Sequence, residues 1–383
     1  MCHKIVRSLK RSIYLACVGL SLVLVSLSSH AETKVIKDIL GREVTVQMPL
    51  ERVFLGFYYT DYMAIGGVEA FDKVVGFSKD VWTVWTPASW ELYSSQLPQL
   101  NDIPDVGEVE AGTFSLEKLL SLNPDLAVLA VLADWQFKAL GPDVDRIEAA
   151  GIPVVVVDYN AQTLDRHLQS TLILGQITGQ EARAQQIADE YQANVEEVAQ
   201  RIAASDQAKP RVYVEFGNKG PAEYSFTYGK NMWGSVINLA GGDNIATPFV
   251  EWWGPMNPEQ VLVSNPEVII ISGRETELTK NLEAMVLGVG IDQAEAERRL
   301  QGFSQRAGWS ELDAIKDGQL FGVYQGASRT IADSAMVQYF AKVFYPELFA
   351  DLDPLQTYLD FHAEYLPVVP QGTFMVHADQ AVQ

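Results

Sequence analysis

Cysteine is nearly missing from this chain. Its 383 residues include two, Cys2 and Cys17, and both fall in an N-terminal stretch that reads as a cleaved leader. The remainder has no disulfide, no thiol nucleophile and no cysteine metal site. Histidine is scarce too: past the leader only His167, His362 and His377 remain. None are paired at a metal-ligand spacing, which argues against a histidine-built zinc or manganese site. No G-x-G-x-x-G follows a strand and there is no P-loop, which argues against a Rossmann-like exported enzyme. Repeated linkers of the adhesin or scaffold kind are also missing. Positive charge is short: Lys and Arg number 28 against 49 Asp and Glu. Four of the cations belong to the leader, so the rest carries 24 against 49, a formal charge of −25. Such a chain repels nucleic acid and anionic lipid. Past the leader no run is long and apolar enough to insert in a membrane.

The leader itself is well marked. Lys4, Arg7, Lys10 and Arg11 form a basic start, Ile13–Leu27 is apolar, and Ser29-His30-Ala31 supplies small residues at a cleavage site. Residues 1–31 are therefore expected to be a signal peptide. Leu15-Ala16-Cys17 has the order of a lipoprotein box, but the apolar region follows the cysteine instead of preceding it. Lipidation is not expected. The 352 residues left after cleavage are too many for one ordinary core, and two domains are expected.

One pattern occurs twice. Residues 114–129 read FSLEKLLSLNPDLAVL and residues 256–271 read MNPEQVLVSNPEVIII, at an ungapped offset of 142. Glu117 falls on Glu259, Leu120 on Leu262, and Asn123-Pro124 on Asn265-Pro266. Ser115 and Asn257 are N-cap residues, and Pro258 suits the first helical position. Each copy predicts a short capped helix ended at Asn-Pro, then a buried strand. The duplication predicts two lobes of one design. Glu117 and Glu259 have two readings. A carboxylate in the first turn favours the positive end of a helix by a few tenths of a kcal/mol, roughly. Matched carboxylates, one per lobe, also make a two-point docking surface.

The rest of the chain alternates. Val35–Gln47 reads as a hairpin, 52–57 as a strand, 58–65 as a helix, 74–77 as a strand, 78–113 as irregular, 140–150 as a helix and 152–157 as a strand. Strand and helix in alternation predict a parallel α/β sheet. Gln180–Ala204 has no Gly or Pro. It places Ala184, Ile187, Ala188, Tyr191, Val195, Val198 and Ile202 on one stripe, a helix of about 35 Å at ~1.5 Å per residue. It is read as the connection between lobes. The expected boundaries are an N-terminal α/β lobe over 32–163, connecting helices over 164–208, a C-terminal α/β lobe over 209–365, and a poorly ordered tail over 366–383. Leu278–Gly302 is expected to be mostly helical.

These pieces resemble the solute-binding proteins of ABC importers for ferric siderophores, haem and vitamin B12. The resemblance rests on GREVTVQMPLERVFLG, VGEVEAGTFSLEKLLSLNPDLAVL, LGQITGQEARAQQIADEY, VINLAGGDNIA, MNPEQVLVSNPEVIIISG and WSELDAIKDGQLFGV, in the family's order over about residues 35–350. It implies two Rossmann-like lobes with parallel central sheets, joined by a single long helix, with the ligand in the cleft between them. It implies a periplasmic, non-catalytic monomer with no cofactor of its own, which captures a metal chelate and delivers it to a permease dimer in the inner membrane. It also favours the docking reading of Glu117 and Glu259.

In such a fold ligand residues come from loops at strand ends. That rule selects Tyr58, Tyr59 and Asp61, then Trp82 and Trp85, then Asp134 and Trp135 in the first lobe. In the second it selects Tyr224, Trp252, Trp253, Arg274, Tyr324 and Arg329. Clustered Trp and Tyr suit a flat or partly apolar organic ligand. A ferric siderophore-type complex is the expected ligand, with haem or a corrinoid as the alternative. Only two arginines, Arg274 and Arg329, stand in these loops. Glu223, Glu251, Asp61 and Asp134 share them. The charge therefore also admits a neutral or cationic chelate, or iron ligated directly by Tyr and carboxylate oxygen.

Overall fold

Two parallel sheets organise the chain because their strands are apolar on both faces. The computed structural model describes residues 32–378, apart from 131–133 and the side chains of 130–139. The expected leader lies outside the described residues. The N-terminal sheet pairs Val74–Phe77, Val53–Leu55, Leu126–Ala130 and Val154–Val157 in that spatial order, all parallel. The four valines of Val154–Val157 are wholly buried, as strands covered by helices on both sides must be. The hairpin of Glu32–Lys37 and Glu43–Met48 precedes this sheet.

The C-terminal sheet has three parallel strands at its centre, Arg211–Phe216, Val268–Gly273 and Leu320–Tyr324. Phe226–Tyr228 and Trp253–Pro255 extend one edge antiparallel. Met375–His377 extends the other, antiparallel to Leu320–Tyr324. The segment from residue 366 was expected to be a poorly ordered tail. It instead buries Phe374 and Val376 and completes the sheet. So short a strand carries too little alternation to be legible in sequence.

Between the sheets run Leu164–Thr178 and Glu181–Ala203. Gly179, at φ 70°, ends the first helix in the left-handed conformation that favours glycine. The second has 23 residues and is about 34 Å long. Its expected stripe is buried, except for half-buried Ile202. It packs against Tyr59–Gly66 of the first lobe and Ser334–Phe344 of the second. The α/β fold with two lobes and a long connecting helix is the architecture expected from sequence.

Both repeated units form as read. Leu116–Leu122 is capped by Ser115, whose Oγ accepts from Lys118 N. Pro258–Ser264 is capped by Asn257, whose Oδ1 accepts from Glu259 N at 2.9 Å. Asn123 and Asn265 close the two helices at φ 45° and 44°, positions where Asn is tolerated better than most residues. The duplication goes further than the sequence match. Arg52 donates to the carbonyls of Leu122 and Asn123, and Arg211 to those of Ser264 and Asn265. Asp125 accepts from Arg52 N and Glu267 from Arg211 N. Each lobe thus fastens its helix end with one arginine and one acid.

Two stretches differ from expectation. Residues 78–113, expected to be irregular, contain the helices Lys79–Trp85 and Pro87–Gln96. Their mixed Trp, Ser and Thr content hides the helical period, although Pro87 sits at a favourable first position. Residues 278–302 were expected to be mostly helical. They hold the end of the one-turn helix Glu277–Lys280, the short strand Gly288–Val289 paired to Gly372–Thr373, and the helix Gln293–Phe303.

Candidate ligand-binding cleft

The lobes meet where the parallel strands end. Val53–Leu55 leads into Phe57, Tyr58 and the helix Tyr59–Gly66, and Val74–Phe77 leads into the helix with Trp82 and Trp85. Opposite them, Val268–Gly273 leads into Arg274 and Glu275, and Leu320–Tyr324 into Ser328 and Arg329. The carboxyl ends of both sheets therefore face one cleft, as open α/β sheets arrange their sites. A cavity of about 50 Å³ lies there, lined by Tyr59, Asp61, Trp82, Tyr93, Tyr324, Arg329 and Thr330, with Tyr358 and Phe361 closing one side. A smaller one, of about 20 Å³, is bounded by Phe57, Trp82, Trp85, Arg274 and Arg329.

Direct contacts draw the lobes together around this space. Thr276 Oγ1 donates to the Val84 carbonyl at 2.8 Å, and Ser89 N to Glu275 Oε1 at 3.3 Å. Arg329 Nη1 lies 2.9 Å from Glu110 Oε2. At the floor, Asp61 Oδ1 accepts from Thr330 Oγ1 at 2.8 Å and Ile331 N at 2.7 Å. Beneath it, Asp333 accepts from Tyr191 at 2.9 Å and Gln162 at 2.8 Å, and lies 3.1 Å from His167 Nε2. That buried group ties the connecting helices to the second lobe. The scarce His167 is thus a structural pin.

Burial shapes the charges. It raises Glu275 to about 7 and Asp61 to about 6, the latter against two hydrogen bonds that lower it. It lowers Arg274, which is then lowered further by Arg329. Arg274 stacks on Phe216 at 4.6 Å and on Trp85 at 5.4 Å. Among the described residues it forms no salt bridge, Glu277 acting on it only at longer range, and its Nε is enclosed without a hydrogen bond. Trp82 Nε1, Tyr93 Oη and Glu275 Oε2 are likewise enclosed and unpaired around the cleft. Buried polar atoms ordinarily find partners, so these four leave unused hydrogen-bonding capacity at the cleft.

Of the residues expected from sequence, the cleft gathers Tyr59, Trp82, Trp85, Arg274, Tyr324 and Arg329. Tyr58 is not brought to either cavity: its hydroxyl accepts from Tyr159 N and Asn160 N and pins a buried loop. Tyr224 accepts from Trp309 Nε1 at 2.7 Å beneath the Arg306 guanidinium, away from the cleft cavities. Trp252 and Trp253 pack edge to face at 6.5 Å, where Trp253–Pro255 forms a sheet edge. Neither lines the cleft cavities, because an antiparallel edge places its residues beside the sheet, not at a parallel strand's carboxyl end. Trp135 lies in the helix Asp134–Ala149; its side chain is outside the described residues. Missed by sequence were Ser89, Tyr93, Glu110, Glu275 and Tyr358. Glu275 had a cue, its place beside Arg274; Tyr358 had none, since Pro354–Tyr365 folds back from far along the chain.

Glu117 and Glu259 each stand at the second position of their capped helix, exposed. No ion pair is formed by either among the described residues.

The family described as periplasmic binding protein matches residues 65–325. The vitamin B12-binding protein of Salmonella typhimurium is 30% identical over 200 residues, spanning 51% of this chain and 68% of the relative. The crystal structure of the TroA-like periplasmic binding protein FepB from Veillonella parvula is 32% identical, with a TM-score of 0.82 over 90% of this chain and 99% of that one. A periplasmic heme binding protein from Pseudomonas aeruginosa shares the fold at 22% identity and a TM-score of 0.54, over 78% of this chain and 94% of that one. With its duplicated capped helices, two parallel sheets and a cleft at their carboxyl ends, the chain belongs to the periplasmic binding protein family.

Proposed function

We propose that the protein is the periplasmic substrate-binding component of an ABC importer, and that it captures an anionic metal chelate, a ferric siderophore-type complex, between its lobes. The observation that carries the charge of the ligand is Arg274. Arg274 is half-buried with its Nε enclosed and forms no salt bridge among the described residues, which is costly in the unloaded protein, and a ligand anion supplies a direct partner. Trp82, Trp85 and Tyr59 offer faces for an organic chelator. Room of about 50 Å³ is far below the several hundred Å³, roughly, of ordinary ligand sites, so loading involves parting of the contacts that close the cleft. Glu117 and Glu259 then present the loaded protein to the permease dimer.

A corrinoid is the second reading, supported by the vitamin B12-binding relatives and the aromatic walls. Titrating the mature protein with ferric tris-catecholate, haem and cobalamin, followed by Trp fluorescence, separates the two. Quenching by the ferric trianion at the lowest concentration is the expected result. Quenching by cobalamin alone overturns the anionic reading in favour of the corrinoid.

A further inference from the structure

Two guanidiniums share one indole in the cleft and, among the described residues, have one salt bridge between them. Arg329 lies 5.2 Å from the Trp85 ring and Arg274 5.4 Å. Only Arg329 is paired, with Glu110 at 2.9 Å. The pair crosses between lobes: Arg329 follows the strand Leu320–Tyr324, and Glu110 belongs to the loop before the helix Leu116–Leu122. Arg329 has φ 64°, a conformation a non-glycine residue holds only where its surroundings enforce it. The loop of Glu110 is braced without the pair, because Glu108 N donates to Thr113 Oγ1 and Ala111 N to Glu108 Oε2, both at 2.9 Å. Both partners of the pair retain some exposure, 11% for Arg329 and 19% for Glu110.

We infer that Glu110 is an internal occupant of the ligand's anion subsite: it neutralises Arg329 in the unloaded cleft and is displaced by an anionic chelate. This rests on the chelate reading above. The physical basis is competition. A tethered carboxylate faces Arg329 at high effective concentration, so an incoming ligand must outbid it. A multiply charged chelate does so by engaging Arg274 and Arg329 together. A neutral chelate gains nothing from Arg274 and leaves the Glu110 pair in place. Displacement is feasible because the pair is partly hydrated, and freed Glu110 returns to water instead of being stranded. Glu110 thereby sets charge selectivity without touching the ligand.

The test is Glu110→Gln, which keeps the side chain's size and removes its charge. Ferric tris-catecholate, a trianion, and neutral ferric tris-acetohydroxamate are titrated into both proteins, with thermal melts to confirm folding. The variant is expected to bind the trianion about tenfold tighter, an ordinary size for a close charge pair, and the neutral chelate within about twofold. In an Arg329→Gln background the gain disappears, as a coupled pair requires. Unchanged or weaker trianion binding by Glu110→Gln, with binding by the wild type intact, overturns this inference alone. An equal gain for the neutral chelate also overturns it, since that marks a looser cleft and not competition by charge. Failure of both proteins to bind either probe overturns this inference together with the chelate reading.

Discussion

Arg274 shows how a single side chain divides stability from function. Its guanidinium stacks on Phe216 and Trp85 and forms no salt bridge among the described residues. Arg274→Met keeps an unbranched side chain on these rings and removes the half-buried charge. The ligand-free protein is expected to gain about 1 kcal/mol, as apolar replacement of buried charge often gives, and to lose about tenfold in affinity for ferric tris-catecholate. Thermal melts beside binding titrations read both quantities. A variant that loses stability and binding together would make Arg274 a packing residue. Sequence position was enough to find Arg274 and Arg329, because both follow parallel strands. It was not enough to show that Glu110 forms a salt bridge with one of them while the other has none among the described residues. That asymmetry arises across the cleft, between residues more than two hundred positions apart in the chain.

At the scale of elements, the segment after Val268–Gly273 reaches over the helix Pro87–Gln96 and closes the cleft through Glu275. Burial lifts the Glu275 carboxyl from 4.5 to about 7. A carboxyl raised in this way contributes stability that is fully present below 4.5 and is lost as the pH rises through about 7. Asp61 and Glu108 are raised to about 6 and 7 and act in the same direction, whereas His362, lowered by burial to about 4, acts against them as the pH falls. The wild-type profile mixes these groups, so the informative quantity is its difference from Glu275→Gln. The variant, neutral at every pH, is expected to lose less stability than the wild type between about pH 5 and 7. Superimposable melting profiles would show that Glu275 does not titrate at this contact. Of the elements themselves, the capped helices were legible because caps, Asn-Pro endings and a repeat speak locally. The helices Lys79–Trp85 and Pro87–Gln96 were not, since their aromatic residues are interspersed with Ser and Thr and show no clear helical period.

For the whole molecule, the long helix and the buried contacts of Asp333 hold two similar lobes together, each with one exposed glutamate at a capped helix start. A pair of carboxylates held on such a frame suits two basic pockets of a permease dimer. Changing both Glu117 and Glu259 to Ala is expected to leave the melting temperature and ligand affinity as they were. It should abolish ligand-stimulated ATP hydrolysis by the importer in reconstituted vesicles. An exposed pair alone contributes ~0–1 kcal/mol; desolvated against arginine it contributes more. Full stimulation by the double variant would leave these residues with only their local effect on the helix dipole.

The sequence by itself determined the class of the molecule: buried strands in alternation with helices, a duplicated capped unit, a long apolar stripe, and family segments in order. Those signals are local or periodic, and a chain carries them in its own neighbouring residues. Tertiary structure alone decided which aromatics line the cleft. Tyr59 and Tyr58 are adjacent, yet one lines the cavity and the other holds a loop, because the left-handed turn at Tyr58 sends them apart. It also decided the charge pairing of the cleft, where Glu110 bridges Arg329 and Arg274 forms no salt bridge among the described residues. The physical reason is that a cleft is built from the ends of many strands, and which ends meet is set by how two sheets pack and not by any stretch of the chain.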